Sequence, residues 1–239
     1  MRTKLIPRFH VAIIAVSPLI LNILMTPMII ISVVSLTEFL KNPTYYIYAY
    51  GFILWSVYHI FLVSLVYRFL KIEKESLKEI IGSMKAKAWL SIATIVGLLG
   101  LSILIFQVVE PIVTNLLYGP RMWEQFLTEY RRLPLAFALY GILITSLTAG
   151  VCEEIVWRGY LQTRLERIFN GRILIAITIQ AILFGLWHSI SLHTIFTAIF
   201  GFIFGLVYAK MRRLMPLMIS HWLGDTIGFS TMYFIPIFS

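Results

Sequence analysis

The sequence predicts an all-α fold, a polytopic bundle of about seven to eight transmembrane helices, and three observations support this. Of the 239 residues, 59% are hydrophobic and only 13% are charged, about half the charged fraction of an average soluble domain. The mean hydropathy is +0.88. Apolar runs of about 20 residues, the length that crosses a bilayer, recur along the chain.

Seven apolar runs give the expected spans in chain order. The first, residues 11–36, follows a basic N-terminus like that of a signal peptide, but it is too long and shows no small-residue cleavage site. We therefore expect a retained span with kinks at Pro18 and Pro27. The other runs cover residues 45–67, 88–109, 134 to the acidic pair at 153–154, 172–190, 191–210 and 214–237.

The stretches between the runs are more polar. Residues 71–81 are charged but have apolar residues at helical spacing, which predicts a helix along the membrane interface. Residues 110–132 are expected to form a polar connection with a turn at Gly119-Pro120 and an amphipathic piece over 123–130. Residues 160–169 are expected to continue the fourth span as an amphipathic helix. An eighth span would arise if these amphipathic pieces insert.

The net charge of +9 comes from 20 Lys and Arg against 11 Asp and Glu. If the N-terminus is cytoplasmic, sixteen basic residues fall on the cytoplasmic side and only Lys41, Arg121, Arg131 and Arg132 on the other. This is the positive-inside pattern, so we expect that orientation, membrane lipid as a partner and no nucleic acid. The single cysteine, Cys152, excludes an intrachain disulfide and is expected to pack rather than react.

Three acidic residues, Glu153, Glu154 and Asp225, fall inside apolar runs. A charged side chain at mid-membrane costs on the order of 3 kcal/mol or more, so such residues usually face a cavity and serve chemistry or transport. Residues four apart share a helix face, so Glu154 can pair with Arg158 and His221 with Asp225. Glu153 is then left without a local partner, as a candidate general acid or base.

The remaining histidines and the ion pair leave alternatives open. The Glu154–Arg158 pair is equally consistent with packing near the cytoplasmic interface. His188 lies in an apolar run beside Trp187, as His221 lies beside Trp222, and both are expected to be functional. By helix length, Glu153 falls near the cytoplasmic side and His188 toward the other. A shared site therefore requires a deeper fourth helix or short, tilted helices. The other histidines look incidental or lie in a turn: His10, His59 and His193.

Three short motifs follow one another on these apolar helices. Residues 152–159 read CEEIVWRG and fit EExxxR, residues 184–188 read FGLWH and fit FxxxH, and residues 221–225 read HWLGD and fit HxxxN/D. Together they resemble the CPBP, or Abi, family of intramembrane proteases, which includes CAAX prenyl proteases and bacteriocin-processing enzymes. The resemblance covers about residue 134 to the C-terminus. We therefore expect residues 134–239 to form the catalytic helical core, and residues 1–133 to add N-terminal membrane helices and interfacial segments to the same membrane domain.

The resemblance implies an intramembrane endopeptidase, CAAX prenyl protease-like, that needs no serine or cysteine nucleophile. It implies that Glu153 is the general base that activates water and that His188 helps to hold this water. It implies that His221 and Asp225 stabilise the oxyanion of the tetrahedral intermediate.

Two further roles follow from the resemblance, and one position departs from it. Glu154 and Arg158 are implied as supporting or substrate-orienting residues. The prenyl proteases usually carry Asn at the position of Asp225. An ionised carboxylate cannot donate a hydrogen bond to an oxyanion, so Asp225 would have to be protonated or would orient His221 instead. This weakens the prenyl-protease assignment more than the protease assignment.

No cofactor is expected, and zinc is the alternative. Glu153, His188 and His221 could form a three-ligand catalytic zinc site, although the HExxH pattern is absent. The expected substrate is a peptide or protein, and whether its C-terminus is prenylated stays open. Two alternatives of another class are a proton-coupled transporter, which the lack of an internal repeat disfavours, and a non-catalytic membrane adaptor or immunity protein.

Overall fold

A computed structural model describes residues 8–82 and 88–235, which form ten helices and no β-strand. Each continuous run of α-helical and π-helical turns is counted as one helix. The helices are α1 (Arg8–Val34), α2 (Leu36–Lys41), α3 (Pro43–Glu73), α4 (Leu77–Ile81), α5 (Ala88–Tyr118), α6 (Met122–Arg131), α7 (Leu135–Ile168), α8 (Ile173–His188), α9 (Leu192–Met211) and α10 (Met215–Phe234).

The predicted all-α membrane bundle is confirmed. Five helices, α1, α3, α5, α7 and α9, are long and apolar enough to cross a membrane. The fifth and seventh expected spans form α8 and α10, which are not among these five. Helix α8 has only 16 residues, or about 24 Å of helix, whereas the hydrocarbon core is about 30 Å thick. The basic residues Arg2, Lys4, Lys85 and Lys87 and the end of the seventh expected span lie outside the described residues.

Two expected connections have a different structure. The third span was expected to end near residue 109, but α5 continues to Tyr118, so Glu110 lies within a helix and is buried. Pro111 follows a π-helical segment, Leu104–Val109, and such wider turns accommodate a proline inside a helix. The single interfacial helix expected over 71–81 is also wrong. Helix α3 extends to Glu73, and the short α4 begins after Ser76.

Helix α7 lies at the centre of the bundle and contacts α3, α8, α9 and α10. Its middle part, Ala149–Gln162, is π-helical and almost entirely buried. Close packing against α10 depends on Gly150, because a Cβ atom at this position would lie 2.5 Å from the backbone nitrogen of Trp222. Small residues allow such backbone approaches between membrane helices. The largest fully buried apolar side chains around α7 include Trp157, Tyr160, Phe184 and Phe204.

An ion-pair cluster joins the end of α3 to α7 at the end of the bundle away from α6. Glu73 accepts hydrogen bonds from Tyr160 at 2.6 Å and from Arg164 at 2.7 Å. Glu75 contacts Arg164 at 2.8 Å and Arg167 at 2.6 Å. Burial alone would raise the pKa of Glu75, but hydrogen bonds and charge from the two arginines outweigh it and lower the pKa. The cluster therefore fixes this end of α7 while its charges remain matched.

The Gly150 contact predicts a stability difference between two glycine variants. Gly150→Ala should lower the free energy of unfolding by about 1–3 kcal/mol, because α7 and α10 must move apart to fit the methyl group. The matched control is Gly100→Ala on α5, where nothing lies within 4 Å of the added Cβ. Thermal unfolding of both purified proteins in detergent measures the difference. Equal melting temperatures would contradict the close approach of the two helices.

Candidate active site

A cavity of about 1250 Å³ lies between α3, α5, α6 and the four helices α7 to α10. Aromatic side chains form much of its wall, and polar side chains are concentrated at its inner end and at its mouth. The sequence-predicted site residues that line it are Glu153, His188, His221 and Asp225. The fold therefore brings the three motifs to one cavity.

Glu153 lies at the cavity floor and is buried, with 4% of its surface exposed. Its two carboxylate oxygens have different surroundings. Oε1 accepts hydrogen bonds from His59 Nε2 at 2.8 Å and from Trp187 Nε1 at 3.0 Å. Oε2 has no hydrogen-bond partner among the described residues and lies 4.0 Å from His188 Nε2 and 3.9 Å from His221 Nε2. One oxygen is thus held by the protein, and the other is left to act on a ligand.

His188 is oriented by its own helix. It is the last residue of α8, and its Nδ1 donates to the carbonyl oxygen of Phe184, one turn earlier, at 2.9 Å. When Nδ1 carries the proton of a neutral imidazole, Nε2 carries a lone pair. The hydrogen bond to Phe184 therefore selects the tautomer in which Nε2 can accept a hydrogen bond on the side of Glu153.

Glu154 points away from the cavity floor and accepts hydrogen bonds from an arginine and a histidine. Its Oε1 accepts from Arg158 at 2.9 Å and from His221 Nδ1 at 2.8 Å. Glu154 and Arg158 are both fully buried, and the Arg158 guanidinium lies over the Phe184 ring at 4.3 Å from its centroid. The expected Glu154–Arg158 pair is present, but it supports His221. It is not a pair at the membrane interface, so Arg158 does not belong among the interfacial basic residues.

Asp225 lies one turn after His221 on α10. Its Oδ2 is 3.6 Å from His221 Nε2, close enough for charge attraction but longer than a good hydrogen bond. Its side chain is 31% exposed and faces the same cavity. Asp225 is therefore the most accessible of the three acidic residues in the motifs.

Two residues that sequence reasoning missed hold Glu153 in place. His59 on α3, which looked incidental, donates to Glu153, and its Nδ1 lies 3.1 Å from the hydroxyl of Thr148. Trp187 donates its indole N–H to the same carboxylate oxygen, and Asn22 on α1 donates to the backbone carbonyl of Trp187. The expectation that Glu153 lacks a partner holds only along its own helix. His59 is 94 residues away, so no local spacing indicates the contact.

His193 and Glu110 form a second histidine–carboxylate pair in the wall of the cavity. His193 Nδ1 lies 2.8 Å from Glu110 Oε1, and the His193 ring packs edge-on against His188 with 5.9 Å between centroids. His193 is thus in the cavity beside the motif histidine, not merely in a turn. The pair was not visible in the sequence, where Glu110 was expected in a polar connection.

Glu153 and His188 lie at a similar depth in the bundle because of the lengths of their two helices. Helix α7 has 34 residues, and Glu153 lies near its middle, so the fourth helix runs well past the acidic pair. Helix α8 is short and ends at His188. Of the two arrangements that would allow a shared site, the structure therefore shows both a longer fourth helix and a short fifth one.

The spacing around Glu153 Oε2 is wide for zinc. Bonds of about 2.0–2.1 Å place two ligand atoms on a tetrahedral zinc about 3.3 Å apart. The distances from this oxygen to the two imidazole nitrogens are 4.0 Å and 3.9 Å. Among the described residues, no three or more His, Cys, Asp or Glu side chains are spaced to hold a metal ion. Two atoms that share a hydrogen-bonded water lie about 4–4.5 Å apart, so the spacing fits a water better.

Cys152 is partly buried beside Glu153 and is a free thiol. It does not line the cavity described above. This position agrees with the expected packing role.

Residues 135–227, about two fifths of the chain, match the family model described as type II CAAX prenyl endopeptidase Rce1-like. The matched segment contains all three motifs and the helices α7 to α9. Through this segment, the chain is similar to the Rce1-like CAAX protease family. The match indicates a membrane endopeptidase with a peptide or protein substrate. No curated protein and no solved structure matches the chain. Helices α1 to α6, with His59 and Glu110, lie outside the matched segment.

The buried Glu154–Arg158 pair in this segment predicts a strong coupling between two substitutions. Arg158→Leu should lower the free energy of unfolding by about 3–5 kcal/mol, because it leaves Glu154 buried without its cation. Glu154→Gln combined with Arg158→Leu should restore much of the loss, since no unmatched charge then remains. Thermal unfolding of the two variants and the parent in detergent measures the coupling. A double variant no more stable than Arg158→Leu would contradict the charge argument.

Proposed function

We propose that this protein is a glutamate-dependent intramembrane endopeptidase, CAAX prenyl protease-like, and that its site is the floor of the cavity. One observation carries the proposal. Glu153 Oε2 is buried, has no hydrogen-bond partner among the described residues and lies about equally far from two imidazole nitrogens. A water molecule bound to this oxygen and to His188 would be held beside a general base.

The peptide bond is cleaved in two steps in this proposal. Glu153 Oε2 removes a proton from the water while the water oxygen attacks the carbonyl carbon of the substrate. The carbon becomes tetrahedral, and its former carbonyl oxygen carries the negative charge. The protonated Glu153 then donates this proton to the amide nitrogen, the C–N bond breaks, and a carboxylic acid and an amine leave. No covalent enzyme intermediate is required.

His221 stabilises the oxyanion in this proposal, since its Nε2 faces the cavity. Glu154 accepts a hydrogen bond from its Nδ1 at 2.8 Å, so this side of the ring keeps its proton. The carboxylates of Glu154 and Asp225 favour the imidazolium form of His221, in which Nε2 also carries a proton and can donate a hydrogen bond to the substrate oxygen. Asp225 cannot donate while ionised, so we assign it to the orientation and charge balance of His221, which its position one turn away supports.

The two parts of the chain have different roles in the proposal. Residues 134–239 form the catalytic core, and residues 1–133 add membrane helices around it. The catalytic core still depends on residues 1–133, because His59 contacts the proposed base. We also propose that the N-terminus faces the cytoplasm, which the distribution of Lys and Arg supports.

The alternative of a zinc-dependent mechanism uses the same three residues, Glu153, His188 and His221. The carboxylate and two imidazoles are donors that zinc accepts, but their separations would have to shrink on binding. A transporter or a non-catalytic adaptor would retain the cavity without requiring a free carboxylate oxygen aimed at a water. The substitutions below separate these classes.

Substitution of the proposed base should abolish cleavage without unfolding the protein. Glu153→Gln keeps the size of the side chain but cannot take a proton. Because Glu153 acts both as the general base toward water and as the general acid toward the leaving amine, we expect a loss of kcat of about 1,000-fold or more. His188→Ala should lose about 100-fold or more. The assay compares prenylated and unprenylated C-terminal peptides with the purified enzyme in detergent.

The control for these variants is Glu38→Gln, an exposed carboxylate on α2 that does not line the cavity, and it should retain parental activity. Melting temperatures of all variants establish that they are folded. Parental cleavage by folded Glu153→Gln would refute the proposed chemistry, whereas ion flux in proteoliposomes that depends on Glu153 would favour a transporter.

His59 is a positioning residue in this scheme, because it touches Glu153 Oε1 and not the reacting oxygen. His59→Ala should lower kcat about 10–100-fold with little change in KM and should alter the pH profile of kcat, since the carboxylate loses its partner. His59→Gln, whose amide can still donate, should recover part of the activity. A purely structural role would lower stability and leave the pH profile of the surviving enzyme unchanged.

A chelation experiment separates the two hydrolytic mechanisms. If water is activated by Glu153 alone, the purified protein should contain far less than one zinc per chain by elemental analysis. Its activity should also survive dialysis against a chelator. Stoichiometric zinc, with loss of cleavage on removal and recovery on addition, would establish the zinc-dependent alternative.

A further inference from the structure

We infer that the cavity opens on the non-cytoplasmic face of the membrane. The substrate would then be a peptide segment exposed on that face. The inference rests on the proposed endopeptidase function and adds the side from which its substrate arrives. It combines two independent observations, the position of the cavity mouth and the distribution of positive charge.

The mouth of the cavity lies at one end of the bundle only. Its exposed lining residues come from the end of α5, the turn after it, α6, and the turn between α8 and α9: Tyr118, Arg121, Met122, Gln125, Thr128 and Ser191. The start of α3 and the end of α10 contribute Thr44 and Met232 at the same end. Among the described residues, none from the opposite end, where α3, α7 and α9 finish and α4 lies, lines the cavity.

Positive charge is concentrated at that opposite end. Of the Lys and Arg residues that the structure describes, excluding the buried Arg158, only four lie at the mouth end: Lys41, Arg121, Arg131 and Arg132. The opposite end carries Arg8, Arg68, Lys71, Lys74, Lys78, Arg164, Arg167, Arg172, Lys210, Arg212 and Arg213. The connections are short, the condition under which Lys and Arg bias sets the orientation. The basic end is therefore cytoplasmic, and the mouth faces away from the cytoplasm.

The lining at the mouth indicates what kind of segment binds there. Arg121, Glu124, Gln125 and Glu129 are polar and lie at the rim, whereas Tyr48, Trp123 and Phe126 form an aromatic wall below them. This arrangement suits an amphipathic segment at the membrane surface, with polar residues at the rim and apolar residues against the rings. The segment would reach from the non-cytoplasmic surface down to Glu153.

Cysteine labelling tests the orientation of the mouth. In a Cys152→Ala background, Gln125→Cys places a single thiol at the mouth, and Lys78→Cys places one at the basic end, both at exposed positions. We expect a membrane-impermeant maleimide to label Gln125→Cys in intact bacterial cells and Lys78→Cys only after lysis. The reverse pattern would overturn the inference.

Oriented vesicles test the side of cleavage. The probe is a charged fluorogenic peptide, chosen because the detergent-solubilised enzyme cleaves it and because it cannot cross a bilayer. Right-side-out vesicles from expressing cells should cleave it at least 10-fold faster than inside-out vesicles, with Glu153→Gln vesicles as the blank. Faster cleavage by inside-out vesicles would overturn the inference while leaving the peptidase function standing. If no peptide is cleaved in detergent, the proposed function fails, and the labelling still reports the orientation of the mouth.

Discussion

Two adjacent carboxylates buried in a membrane bundle are the constraint on which the rest of the structure depends. Glu153 and Glu154 are both almost fully buried, and each isolated charge in this setting would be costly. The fold compensates them separately. Glu153 accepts hydrogen bonds from His59 and Trp187. Glu154 accepts hydrogen bonds from Arg158 and His221. Because these partners come from four different helices, satisfying the two charges also fixes how α3, α7, α8 and α10 pack.

The compensation is unequal, and in the proposed mechanism this inequality makes Glu153 the reactive group. Glu154 is tied to a permanent cation and supports His221, so it behaves as a fixed negative charge. Glu153 is held through one oxygen only, and the other faces two imidazoles across a gap that a water can fill. The π-helical turns of α7 carry both residues, which is common where helices contribute to functional sites. The local helix irregularity and the proposed chemistry thus coincide.

The sequence predicted the membrane fold and the motif residues because both signals are local. Apolar runs determine the spans, and spacings of four residues place Glu154 with Arg158 and His221 with Asp225. The sequence did not predict His59 or the Glu110–His193 pair, because those contacts join residues 94 and 83 positions apart. It also misjudged where α5 ends, since a proline after charged Glu110 is typical of a loop. Only tertiary packing shows that Glu110 has a buried partner.

The shortness of α8 has a consequence for the supply of the second reactant. A helix of about 24 Å does not match a hydrocarbon layer of about 30 Å, and bilayers respond to such a mismatch by thinning locally. His188 ends this helix, so the thinned region would bring the aqueous phase toward the carboxylate. Hydrolysis consumes one water per peptide bond. A dent in the bilayer would replenish that water from one side without a pore, so the permeability barrier of the membrane would stay intact.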